Sequence, residues 1–177
     1  ARANRCAINW ESYKPPSPIS LGITEFSMSV KDLIPFIDWS PFFMTWELAG
    51  KYPNVLDDKK VGEAATDLFK DAQSFLKEIS EQNLLKPRGV YGFWACNRKG
   101  SDDITVYSDN SRTKSIMCLH HLRQQTPKPN DDDPNYCLAD FVAPAGHEDY
   151  IGGFAVTSGK EINDLLNDYE DDYCKIM

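Results

Sequence analysis

Residues 36–46 read FIDWSPFFMTW and hold one carboxylate, Asp38, among Phe36, Ile37, Trp39, Phe42, Phe43 and Trp46. Desolvating a carboxylate in such company is costly unless a partner compensates it. Two partners fit: the unpaired amides at a helix start, or a ligand cation such as an amine or sulfonium, for which each ring face adds about 0.5–2 kcal/mol. A second group, His120, His121, Cys137 and Asp140, has the residue types of a thiol nucleophile and its base. Adjacent histidines on a strand point to opposite faces, so at most one of them can join such a site. No recognised cysteine-enzyme signature surrounds Cys137, and the sequence assigns no catalytic residue. Those histidines with His147 raise the question of a metal, but no carboxylate or thiol stands at a ligand-like offset, so none is assigned. Gly89, Gly92 and Gly100 do not follow the phosphate-cradling patterns, and the first two are expected to permit close packing within a strand. Arg123-Gln124-Gln125 opens a polar loop and is expected at the surface.

The elements that position these residues follow from periodicity. Residues 1–25 are rich in Pro and Ser, with YKPPSPIS favouring extended backbone, and read as a linker or wrapping arm. A short helix from Val30 is stopped or kinked near Pro35. Ser40-Pro41 is a good helix start, giving a helix from about Pro41 to Ala49 closed by Gly50, with Asp38 just before it. Over 61–79, Ala65, Leu68, Phe69, Ala72, Phe75, Leu76 and Ile79 share one helical face. After Pro87 the pattern changes to β-branched and aromatic runs at 88–97, 103–108 and 114–122, separated by turn compositions, as in an antiparallel meander. Further strands are expected at 136–144 and 149–159, then a helix using Ile162, Leu165, Leu166 and Tyr169. Asp171 or Asp172 is placed to cap a last helix beginning at Tyr173. The fold class is therefore α+β, an antiparallel sheet with packed helices.

The 177 residues, 41% hydrophobic and 26% charged, read as one globular domain. A net charge of −8, with acidic runs at 131–133 and 170–172, disfavours nucleic acid and anionic membranes as partners. No apolar run approaches the roughly 20 residues that span a bilayer. Five scattered cysteines without C-x-x-C spacing fit a reducing cytoplasm. The opening ARANRCAINW, without Met, and the closing EDDYCKIM, which starts a helix without ending it, lead to the expectation of a piece of something longer, C-terminally incomplete.

The blocks IDWSPFF, GKYP, PRGVYGF, LRQQ, YCLADFVAP, DYIGGFAV and DDYCKIM, in order from about residue 30 to the end, together resemble the C-terminal reactivation domain of cobalamin-dependent methionine synthase. The resemblance implies a connector following a cobalamin-binding domain at 1–25 and the N-terminal part of a reactivation domain at 26–177. It implies a methyltransferase role within the full-length enzyme, the chain alone being inactive. The domain would help bind S-adenosylmethionine for the reductive methylation of cob(II)alamin, restoring the enzyme that methylates homocysteine to methionine. Cobalamin would be held by the neighbouring domain, and flavodoxin or a diflavin reductase would deliver the electron. Asp38 matches the Asp of the family's Ile-Asp-Trp motif, whose implied partner is the amino acid part of S-adenosylmethionine. The family's principal motif for that ligand, Arg-Pro-Ala-Pro-Gly-Tyr-Pro, is not in this chain. The alternative is a non-catalytic truncated relative that binds a cobalamin domain or a flavoprotein.

Overall fold

The computed structural model describes residues 1–130 and 133–177, so Asp131 and Asp132 of the first acidic run lie outside the described residues. In chain order the elements are β1 (Gly22–Ser27), α1 (Val30–Leu33), α2 (Trp39–Thr45), α3 (Gly62–Gln82), β2 (Arg88–Lys99), β3 (Asp103–Tyr107), β4 (Ser115–His120), β5 (Tyr150–Thr157), α4 (Glu161–Asn167) and α5 (Asp172–Ile176). The sheet runs β1-β2-β3-β4, with β5 also paired to β2. The β2/β3 and β3/β4 pairs are antiparallel, with Asn97 opposite Thr105 and Asp103 opposite His120. The α+β class and the meander expected from the sequence are both present.

Three local features differ from expectation. β1 lies partly inside the arm read as linker, where Ile23 and Phe26 are too sparse to give an alternating signal. α2 begins at Trp39 with Asp38 as its cap and ends at Thr45, because Glu47 takes a left-handed backbone (φ 58°) well before Gly50. The run 136–144 is not a strand. Its centre, Leu138–Phe141, is a 3₁₀ turn, closed when Asp140 Oδ2 accepts the Cys137 amide at 3.0 Å. A side chain that bonds the backbone three residues away offers it an alternative to a ladder.

The chain divides into two compact units, one of residues 1–24 and 90–155, the other of 25–89 and 156–177. In the first unit Cys96, Ile104, Cys137 and Ala139 are buried with Leu119, Val142 and Ile151 against them. Burial, with the Asp149 charge next in importance, pushes the Cys96 thiol up to about 12, so it stays an inert thiol. The N-terminal arm is tied to this unit: the Asn135 amide donates to Asn4 O at 2.7 Å, and Arg2 Nε meets Asp102 Oδ2 at 2.7 Å.

In the second unit, Ala65, Leu68 and Ala72 of α3 are buried with Trp39 and Phe43 of α2 and with Val55. The apolar face read from residues 61–79 is this packing face. α3 runs one turn further because 80–82 remain helical, and it ends where Asn83 turns left-handed (φ 53°) and Leu84 N–H reaches Ile79 O at 3.0 Å. At its start, a Cβ on Gly62 would stand 2.6 Å from Leu56 O. Gly62→Ala is therefore expected to destabilise the protein by about 1–3 kcal/mol, since backbone must move. Urea unfolding of the two proteins side by side checks this.

Candidate functional site

Asp38 is the N-cap of α2, with extended backbone (φ −80°, ψ 109°) and Oδ1 accepting the Ser40 amide at 3.0 Å. The helix forms here because the cap satisfies a free amide while Trp39 and Phe43, four residues apart on one face, anchor it in the core. The surrounding rings mostly turn inward. Trp39 packs edge-on against Phe42 at 5.5 Å and Phe69 at 4.8 Å, and Phe43 is 0% exposed. Asp38 itself is exposed, and so is Phe36, at 80%. The carboxylate is thus not desolvated among aromatics, as the bare sequence led one to expect, because helical periodicity separates it from the rings it adjoins in sequence. Asp38 makes one hydrogen bond among the described residues, which leaves lone pairs facing water. Ser40 has a different duty: its Oγ accepts the Tyr52 amide at 3.3 Å and ties the GKYP turn to α2.

The residues that suggested thiol chemistry are occupied by structural bonds: the Cys137 amide is held by Asp140, and Cys137 Sγ and the His121 amide both donate to the Asp102 carbonyl. Cys137 is buried, its Sγ lying 3.8 Å from the Asp102 carbonyl to which it donates, while Asp140 serves an ion pair. His121 is held through its backbone amide to Asp102 O at 3.2 Å, and the His147 carbonyl accepts from Asn97 Nδ2 at 2.8 Å. Gly89 and Gly92 fill the packing role expected of them: a Cβ on Gly89 would enter the Phe26 ring, and one on Gly92 the Trp94 ring.

Arg123 is the main correction. It is 4% exposed rather than at the surface, and it forms a bidentate pair with Asp140 at 2.6 and 2.7 Å. It donates further to Asp102 Oδ1 (2.9 Å), Asn135 O (2.6 Å) and Ser101 O (2.8 Å), so each of its five N–H groups has a partner. Burial alone would raise the Asp140 carboxyl, but hydrogen bonds from Arg123 and the Cys137 amide outweigh it and hold the group below the usual range. The cluster fixes the 3₁₀ turn and the loop after β4. The signal available in the sequence was the pair LRQQ and LADF, one long cation and one acid in otherwise apolar or polar neutral surroundings.

The family model for the vitamin B12 dependent methionine synthase activation domain matches residues 29–177. The chain belongs to that family. A crystal structure of the MetH reactivation domain bound to AdoHcy is similar at 50% identity and a TM-score of 0.93, over 99% of this chain and 55% of that one. The chain thus spans about half the length of that relative. Membership accounts for the α+β architecture and for the ordered blocks from IDWSPFF to DDYCKIM. No helix among the described residues of this activation-domain chain is long and apolar enough to cross a membrane.

Proposed function

We propose that this chain contributes to binding S-adenosylmethionine for the reductive methylation of cob(II)alamin, within a methionine synthase that methylates homocysteine to methionine. The observation that carries this reading is the likeness, at 50% identity, to a reactivation domain with AdoHcy bound, together with an Asp38 carboxylate left open to a cation. The residues present suit that ligand: Asp38 offers unused lone pairs at the surface for an ammonium group. When bound, S-adenosylmethionine supplies the methyl group that reduced cobalamin accepts. The chain's own contribution is orientation, with α2 held rigidly by Trp39 and Phe43 so that the carboxylate is preset. In the same reading residues 1–25 are the connector after a cobalamin-binding domain and 26–177 part of the activation domain. The cobalamin domain of the same enzyme and flavodoxin or a diflavin reductase are the partners, in the cytoplasm.

Asp38→Asn separates the two roles of this residue. Asn caps a helix about as well as Asp, so α2 is retained while the charge is lost. A charge-assisted hydrogen bond is worth about 1.5–3 kcal/mol, which is roughly a tenfold to hundredfold loss of S-adenosylmethionine affinity. Calorimetric titration is best done on a protein spanning the full length of the matched relative. Unchanged affinity in Asp38→Asn would remove Asp38 from the site. If the parent binds a cobalamin domain but no S-adenosylmethionine, the protein is an interaction module.

A further inference from the structure

β4 ends the strand order β1-β2-β3-β4 and so forms an edge of the sheet. Its alternation puts Cys118 and His120 on one face, and the antiparallel register places Asp103 of β3 directly opposite His120, with Thr105 opposite Cys118. A thiol, an imidazole and a carboxylate therefore converge from two strands: one ligand atom from each lies within 4.8 Å of the other two. His120 Nδ1 is already 3.0 Å from Asp103 Oδ1. The His120 side chain is 76% exposed and that of Asp103 33%, while Cys118 is half-buried. None of these residues belongs to the Arg123 cluster or to the Asp38 region.

We infer that Asp103, Cys118 and His120 form a binding site for a divalent transition metal of the zinc class, in departure from the sequence expectation of no metal, because the β3/β4 register brings the carboxylate beside His120 and Cys118 shares its face. Ligand bonds of about 2.0–2.3 Å arranged tetrahedrally set the donor atoms roughly 3.3–3.8 Å apart. The His120–Asp103 pair, at 3.0 Å, is a little tighter than that spacing, and the thiol, within 4.8 Å of both, would close the remaining distance by side-chain rotation. A cation there would take the place of any proton shared between imidazole and carboxylate. One sulfur, one nitrogen and one oxygen suit zinc or cobalt rather than magnesium or calcium, which require oxygen donors alone. Three protein ligands at an exposed edge leave a coordination position for water, the pattern of an open site. Bound metal would staple β3 to β4 at the edge where pairing is least protected.

The test is titration of the reduced, chelator-stripped protein with Co²⁺, following thiolate-to-cobalt charge transfer, then displacement by Zn²⁺. The expected result is one saturable site with a charge-transfer band that is absent in Cys118→Ser and survives in the Cys6→Ser/Cys174→Ser double variant. His120→Ala and Asp103→Asn are expected to weaken the affinity about tenfold or more, as even outer-shell partners do. His120 is exposed, so its variant keeps the fold, and circular dichroism verifies this. A parent protein without the charge-transfer band, or a band that persists in Cys118→Ser, overturns the assignment.

Discussion

Replacing Arg123 with methionine is expected to destabilise the protein by about 3–5 kcal/mol, the cost of leaving a buried carboxylate without its partner. The size of the effect follows from Asp140, which is 0% exposed and would retain the Cys137 amide but lose both guanidinium bonds. Asp102 Oδ1, Asn135 O and Ser101 O would each lose a donor as well. Lysine is no remedy, because an ammonium cannot reproduce the planar fork that meets five acceptors at once. The double variant Arg123→Met/Asp140→Leu removes the orphaned charge and is expected to recover a large part of the loss. Denaturant unfolding of the three proteins at neutral pH decides the matter, and a single variant within about 1 kcal/mol of the parent would contradict it.

The same cluster gives a pH dependence with a definite sign. The folded Asp140 carboxyl is held below its ordinary value, so its contribution to stability is complete above about pH 4 and is lost as pH falls through the depressed folded value. Without Arg123, burial dominates and favours the protonated acid. The stability gap between parent and Arg123→Met is therefore expected to narrow as the pH is lowered from 7 towards 3.

Phe43→Ala is expected to cost a similar 3–5 kcal/mol, the range for truncating a fully buried aromatic side chain. Phe43 is 0% exposed, with ring centroids of Phe42, Phe69 and Tyr52 at 5.4, 6.1 and 6.3 Å. Short helices have little stability of their own, and α2 relies on Phe43 and Trp39 for its place. The variant therefore also loosens the segment capped by Asp38, and on the proposed role of that carboxylate ligand affinity should fall although Asp38 itself is unchanged. Phe43→Leu keeps most of the volume and should retain most of both properties. Urea unfolding followed by tryptophan fluorescence, paired with S-adenosylmethionine titration, measures the two consequences together.

Family membership was legible because ordered blocks such as IDWSPFF, PRGVYGF and DYIGGFAV keep their composition and order, and the family match over 29–177 spans all of them. The elements with strong local signals were legible too. Seven apolar residues on one face gave α3, and alternating or β-branched runs gave β2, β3, β4 and β5. Asp171 was expected as one of two possible caps of the last helix, and its Oδ1 accepts the Cys174 amide at 2.8 Å. Further along α5, Tyr173 Oη donates to Asp71 at 2.7 Å and packs on Trp46 at 5.1 Å, contacts that no local pattern announces.

By itself the sequence determined the family, the α+β class and most elements, since helical and strand periodicities are properties of neighbouring residues. Tertiary structure alone decided the rest. It turned 136–144 from an expected strand into a capped turn, because Asp140 bonds Cys137 and Arg123. It buried Arg123, whose partners Ser101, Asp102, Asn135 and Asp140 come from both sides of it in the chain. It exposed Asp38 by rotating Trp39 and Phe43 into the core, and it brought Asp103 opposite His120 through a strand register that no local composition specifies. Charges and polar groups are placed by the partners that folding supplies from elsewhere in the chain, and one residue's neighbours in sequence do not name them.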